Sequence, residues 1–340
     1  MGLSAEEERI LASIHVASEN DPLRPEFPPN NPRFPATPTV RISVPGFREV
    51  LYKDESHNLT GTHKDRLAWE MVVTYKDMLL AKRKGAFRGS LPQLSIITSG
   101  CAGAAIQTIL KRYRLPALKC LVDYSLSAAV KQHLVALGCE VYEEDLSRKA
   151  FSWQDILLLT DNPRGIDVTS AAGLDPATRF YDWLSYEVLN SNPEYCFIPF
   201  GSGHLYENIL NVCKTTVASS TPDPRFRGDA TTIQNCHFLG ATVNRSDSKA
   251  DKLFAAHRPF AGFEEQWIRC YRLSGFVGMH SDVHVVKERF LDEALALIDE
   301  QGIVAEASGV AGLALLLQLR EQIPSEKRVL ILGTGKLKLS

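Results

Sequence analysis

Val50-Leu-Tyr-Lys-Asp-Glu-Ser-His-Asn-Leu-Thr-Gly-Thr-His-Lys-Asp-Arg66 is the stretch around which the rest of the chain can be ordered. Val50 to Lys53 reads as a strand and the polar residues up to His63 as a loop. Residues 65 to 82 read as a helix with Leu67, Met71, Val72, Tyr75 and Leu79 on one face. Lys64 therefore stands where a loop becomes a helix. There an amine is partly desolvated and close to the positive end of the helix dipole, and both effects lower its pKa towards the range that suits Schiff-base chemistry. Taken alone, the simpler reading is a solvated lysine in a first helical turn.

From this stretch onward, strand-like and helix-like segments alternate. Residues 94–97, 117–122, 140–142, 195–198 and 328–332 read as strands, and 102–113, 127–137, about 177–189, 291–301 and 310–322 as helices. Such alternation predicts an α/β fold with mostly parallel sheets covered by helices on both faces. Ligands in such folds bind where strand carboxyl ends turn into helices. Ahead of residue 40, Ser4 and Glu7 form a capping-box pattern that opens a short helix with Ile10, Leu11 and Ile14 on one side. Seven prolines in the seventeen residues from Pro22 to Pro38 then predict an extended arm on the surface or on a partner subunit.

Composition narrows the picture. Of 340 residues, 44% are hydrophobic, which excludes disorder and is enough for two cores. Lys and Arg number 38 against 40 Asp and Glu, so no basic surface for nucleic acid is expected. No apolar run is long enough to span a bilayer, and the first residues lack a signal-peptide pattern. Seven scattered cysteines without a CxxC indicate neither a disulfide framework nor a zinc ribbon. The expectation is a cytoplasmic protein without a metal centre.

Four further turns have the composition of ligand-binding loops. Thr98-Ser-Gly-Cys-Ala-Gly103 joins a strand to a small-residue helix, and its N–H groups and hydroxyls suit a carboxylate. Cys101 stands where a helix dipole can lower a thiol pKa, although a packed cysteine is the simpler reading. Gly201-Ser-Gly-His-Leu205 follows the strand 195–198, and its glycines let successive N–H groups converge on a single phosphate. Tyr206 in place of a third glycine weakens a dinucleotide reading. Glu306-Ala-Ser-Gly309 opens an apolar helix. Gly333-Thr-Gly-Lys336 lacks the first glycine of a P-loop, since Leu330 stands there, but Thr334 at a strand end can offer a hydroxyl to a ring nitrogen.

Together, and in this order, the five segments resemble the signature of fold type II pyridoxal-phosphate enzymes, the tryptophan synthase β-like family, from about Thr37 to the C-terminus. Asp65-Arg66 after the lysine is similar to threonine synthases and amino-acid dehydratases, and the His63-Lys64 pair to tryptophan synthase β. The resemblance implies two interleaved doubly wound domains with pyridoxal 5'-phosphate in the cleft between them. It implies that Lys64 forms the Schiff base and later moves protons at the substrate Cα. Gly201, Ser202, Gly203, His204 and Leu205 would cradle the phosphate, with His63 adding a contact. Thr98, Ser99, Gly100, Cys101 and Ala102 would hold the substrate carboxylate, Glu306 would be the active-site glutamate, and Thr334 would face the pyridine nitrogen. A neutral partner for that nitrogen favours elimination or replacement at Cβ over a long-lived carbanion.

The sequence departs from the family pattern at Cys101, where an amide normally contacts the cofactor's phenolic oxygen and a thiol is a poor donor. His204 and Tyr206 also make the phosphate loop bulkier. The expected activity is β-elimination or β-replacement on a small amino acid, by a lyase of the ammonia-lyase or dehydratase type or by a synthase resembling threonine synthase. The alternative is a cofactor-binding but catalytically silent regulatory or partner protein, and a nucleotide-binding protein is the remaining reading. Because the lysine and phosphate loops must meet on one cofactor, residues 1–54 and 166–340 are expected to form a larger domain and 55–165 a smaller, mobile one. The resemblance also implies a homodimer, which the proline arm can reach across. Ser246-Asp-Ser-Lys-Ala-Asp251 is a polar turn able to line the pocket, with a solvated loop as the simpler reading.

Overall fold

The structure is a computed structural model that describes residues 2–15, 36–86, 88–169, 180–221, 223–254 and 280–336. Two sheets organise them. In the larger, β2 (Glu49–Asp54), β10 (Arg328–Gly333), β7 (Tyr195–Pro199), β8 (His237–Thr242) and β9 (His280–Val285) lie side by side and parallel, and β1 (Thr39–Ile42) pairs antiparallel with β2. The smaller is parallel throughout, in the order β5 (Glu140–Glu144), β4 (Lys119–Asp123), β3 (Leu94–Ile97), β6 (Ile166–Asp167). The chain leaves the larger sheet after β2, builds the smaller one, and returns with β7. β6 carries the smaller sheet to Asp167, past the division expected at residue 165.

The helices are α1 (Ala5–Ser13), α2 (Lys64–Arg83), α3 (Cys101–Arg112), α4 (Ala128–Leu137), α5 (Trp153–Leu159), α6 (Asp182–Leu189), α7 (His204–Ala218), α8 (Ala230–Gln234), α9 (Glu288–Asp299) and α10 (Ala311–Leu319). Side-chain alternation explains how they cover the larger sheet. Cys196 and Ile198 of β7, with Leu330 and Leu332 of β10, share a core with α6 and α7. Phe197, Val329 and Ile331 point the other way, into a core with α9 and α10. A central parallel strand covered on both faces must be apolar along its buried length, as β10 is from Val329 to Gly333. The edge strand β5, Glu-Val-Tyr-Glu-Glu, is charged, which discourages further pairing. α10 is buried from Ala311 to Leu317 on every side, and a Cβ on Gly312 would come within 2.9 Å of the Phe197 carbonyl oxygen. Only glycine lets that helix approach β7 so closely.

At the N-terminus the capping box forms: the Glu7 N–H donates to Ser4 Oγ (3.2 Å) and the Ser4 N–H to Glu7 Oε2 (2.9 Å). Lys82 of α2 then pairs with Glu7 at 2.6 Å. The helix expected from about residue 177 runs from Asp182, and residues 170–179 lie outside the described residues, as do 16–35 with most of the proline arm. Among the described residues, no helix is long and apolar enough to cross a membrane, and no group of His, Cys, Asp and Glu could hold a metal ion.

Candidate active site

The loop that presents Lys64 is fixed by its own carboxylates. Asp65 accepts from the Thr60 N–H and hydroxyl, each at 2.7 Å. Asn58 Nδ2 donates to Glu55 Oε2 (2.8 Å) and to the Thr62 carbonyl (3.0 Å). Arg66 spans Glu55 (2.7 Å) and Glu187 of α6 (2.8 Å), Lys53 pairs with Glu187 at 2.5 Å, and Thr37 donates to Glu55 at 2.5 Å. Burial pushes the Glu55 carboxyl up, but the charge of Arg66 and the hydrogen bonds from Arg66 and Thr37 outweigh it and bring it down to about 2. Arg66 is likewise opposed by burial and held protonated by its two carboxylates. Lys64, the first residue of α2, rises from this hydrogen-bonded and ion-paired base. Its N–H donates to Thr62 Oγ1 (3.1 Å) and its Nζ to the hydroxyl of Tyr181 (3.3 Å).

Three of the five segments are stitched together through their backbones. The His63 N–H donates to the Thr334 carbonyl (3.2 Å), the Thr334 N–H to the Gly309 carbonyl (3.3 Å) and the Lys336 N–H to the Gly61 carbonyl (2.7 Å). The approach is so close that a Cβ on Gly335 (φ +96°) would lie 2.1 Å from the Gly61 oxygen. The backbone of Thr334 is thus consumed in holding the turn, and its side chain is the part it can offer a ligand. His63 Nδ1 lies 3.3 Å from the same Thr334 oxygen. Burial first, and then the charge of Lys64, push this imidazole down to about 3 and keep it neutral. The structure engages His63 with the Thr334 turn and the Tyr181 ring, 5.6 Å away.

Gly201, Ser202 and Gly203 join β7 to α7. Gly203 adopts φ +85° and caps a 15-residue helix, whose first N–H groups have no intrahelical acceptors. Ser202 Oγ is 3.3 Å from His204 Nδ1, and Leu205 is buried in the core, so it brings only its backbone. A glycine cradle with one hydroxyl at the N-terminus of a long helix fits a phosphate group.

The 98–103 turn divides its labour differently from the expectation. Thr98 Oγ1 accepts from the N–H groups of Gly100 (3.0 Å) and Gly103 (3.2 Å), so this buried hydroxyl shapes the turn. Gly100 takes φ +120° and caps α3. Ser99 is exposed, and together with the N–H groups of Cys101 and Ala102 it is what the turn can offer a carboxylate. Cys101 follows the simpler reading, a packed cysteine: burial pushes its thiol pKa up and prevails over the charges of Lys252 and Lys64.

Two residues of the site lay outside every motif. Tyr181, just ahead of α6, puts its hydroxyl on Lys64. Lys252, in the short turn Asp251–Leu253 after β8, pairs with Glu306 Oε2. Its backbone oxygen would be 3.3 Å from a Cβ on Gly201, which places the turn over the phosphate-type loop. Lys252 directly follows the polar turn at 246–251, the one weak signal that could have found it.

Turns from both sheets thus gather around one anchored lysine, which is the arrangement of a fold type II pyridoxal-phosphate enzyme. The family model described as pyridoxal-phosphate dependent enzyme matches residues 33–335, and the chain belongs to that family, whose cofactor is pyridoxal phosphate. Among solved structures it is similar to maize serine racemase (16% identity, 89% of each chain covered, TM-score 0.63). It is also similar to diaminopropionate ammonia lyase from Escherichia coli (14%, 89% of this chain and 84% of that one, 0.60). A third is threonine deaminase isoform 2 from Solanum lycopersicum (14%, 87% and 80%, 0.55). These likenesses show the shared fold. No curated protein sequence matches the chain.

Proposed function

We propose that the protein catalyses β-elimination or β-replacement on a small amino acid, with Lys64 carrying the cofactor and moving the proton at the substrate Cα. The observation that supports this most is the stitching of the Lys64 loop to the Thr334 and Gly309 turns, which fixes the amine relative to the ring site. Bound pyridoxal phosphate supplies the electron sink that acidifies the Cα–H bond. The chain's own residues do the rest. The N–H groups at the start of α7 and the Ser202 hydroxyl bind the phosphate. Ser99 and the first turn of α3 hold the substrate carboxylate and so aim Cα at Lys64 Nζ. Tyr181 positions that amine through its hydroxyl. The hydroxyl of Thr334 and the neutral ring of His63 bring no charge to the ring nitrogen, which favours loss of a Cβ substituent. Residues of the smaller sheet with α3 to α5 form the mobile part, whose closure excludes water. A cytoplasmic homodimer completes the reading.

A screen of the purified, cofactor-loaded protein against amino acids and O-activated serines and homoserines tests it. One of them is expected to change the visible band and release a 2-oxo acid or a β-substituted product. A band that responds to none of them contradicts the enzyme and leaves a silent cofactor-binding protein, which the loss of the amide at residue 101 would suit.

A further inference from the structure

The phenol of Tyr181 stands end-on to Lys64. Lys64 Nζ is 3.3 Å from its Oη and 5.7 Å from its ring centre, so the amine lies beyond the hydroxyl and not over the ring face. The side chain of Tyr181 is buried, with its ring 5.6 Å from that of His63, and the contact is therefore made without competition from bulk water. The two residues stand on elements that one ion-paired network joins. Arg66, on the first turn of α2, meets Glu187, on the second turn of α6, at 2.8 and 2.9 Å. Behind the phenol, Ser185 Oγ donates to the Tyr181 carbonyl and Asn208 of α7 donates to Asp182, each at 2.9 Å. A hydroxyl is both donor and acceptor, so it accepts from Lys64 as an ammonium and donates to it as a free amine, where a carboxylate could only accept.

We infer that Tyr181 is a catalytic residue of the elimination, the acid that protonates the substituent X leaving Cβ. This rests on the reading of Lys64 as the residue that takes the Cα proton. An amine aimed at Cα lies against it, X is two bonds from Cα, and a phenol in contact with the amine is therefore a neighbour of the leaving group. Lys64 Nζ takes the Cα proton, and the electron pair of that bond becomes the second Cα–Cβ bond. The Cβ–X bond breaks with its pair on X, which takes the proton of the Tyr181 hydroxyl, and the phenolate left behind takes one from the Lys64 ammonium. One proton has then moved from Cα to X, and both side chains end as they began. A leaving hydroxide needs that proton, and a leaving acetate does not.

Tyr181→Phe removes only the hydroxyl, and the test compares the cofactor-loaded variant and wild type on serine or threonine and on the O-acetyl ester of the same amino acid. The kcat/KM ratio of ester to parent is expected to rise at least ~100-fold in the variant, the size of a lost general acid. Exchange of the Cα proton of the parent amino acid, followed by NMR in deuterated solvent, is expected to outlast its elimination, because Lys64 is still present to abstract that proton. An unmoved ratio, or exchange that falls as far as elimination does, overturns the inference and leaves Tyr181 as a positioning residue. So does a wild type that releases acetate but never hydroxide. Circular dichroism shows whether each variant is folded. Tyr181→p-aminophenylalanine keeps the ring and a group able to hydrogen-bond Lys64 while losing the acidic proton, and it decides the matter if the phenylalanine variant does not fold: a raised ratio supports the inference, and an unmoved one overturns it. A wild type that takes up no cofactor on Lys64, or exchanges no Cα proton with any amino acid, overturns the underlying reading instead, and shows it before any variant is made.

Discussion

Two ion-paired clusters flank Lys64, and burial makes them different devices. Lys53, Glu55, Arg66 and Glu187, joined by Thr37, set two cations against two carboxylates, with Lys53, Glu55 and Arg66 almost wholly shielded from water. Lys252 and Glu306 form a single pair whose side chains are 32% and 24% exposed. In the first cluster every charge is matched and hydrogen-bonded, so the network locks β2, α2 and α6 around the lysine loop. Removing one member strands a buried charge. In the second, solvent screens the pair, so it adds little to stability.

The largest effect that can break this contrast is expected from Arg66→Ala. It leaves Glu55 and Glu187 with Lys53 alone and should cost about 3–5 kcal/mol of unfolding free energy, read from denaturant midpoints. A cost under about 1 kcal/mol would place the network among surface pairs. Acid should act next. Glu55 is held at about 2 in the fold against 4.5 when unfolded, so its contribution is present above 4.5 and is lost as pH falls from there towards 2. His63, at about 3 against 6.5, is kept neutral by the fold, so protonation of the unfolded chain removes stability as pH falls from 6.5 towards 3. Both slopes have the same sign, and stability should climb steadily between pH 3 and 6.5; urea midpoints that are level across this range contradict it. The smallest effect belongs to Lys252→Met, expected to change stability by less than about 1 kcal/mol. A larger loss would mean that the cleft pair is part of the scaffold.

The parts of this molecule that could be read in its sequence are those whose chemistry is local. Lys64 at a loop-to-helix junction, the glycines at 201 and 203, and the Gly333-Thr334-Gly335 turn each announce themselves within a few residues, because tight turns and helix starts constrain nearby side chains. The five-segment order then implied the family and the α/β class. The strands left out were those without an apolar run: β1 has three exposed residues of four, β6 has only two residues, β8 is interrupted by Gly240, and β9, His-Ser-Asp-Val-His-Val, is mostly polar. Tyr181 and Lys252 were out of reach for a different reason. Neither lies in one of the five segments, and only the packing of α6 and of the 251–253 turn brings Tyr181 to Lys64 and Lys252 to Glu306. At Cys101 burial, a tertiary property, outweighs the helix start, in line with the simpler reading of a packed cysteine.

The central claim is that this fold anchors pyridoxal phosphate on one lysine. Borohydride reduction of the cofactor-loaded protein, followed by peptide mapping, tests it directly. The account predicts a stable pyridoxyl label on the peptide containing Lys64 and its loss in Lys64→Ala. A label on another lysine, or none on the Lys64 peptide, would contradict it.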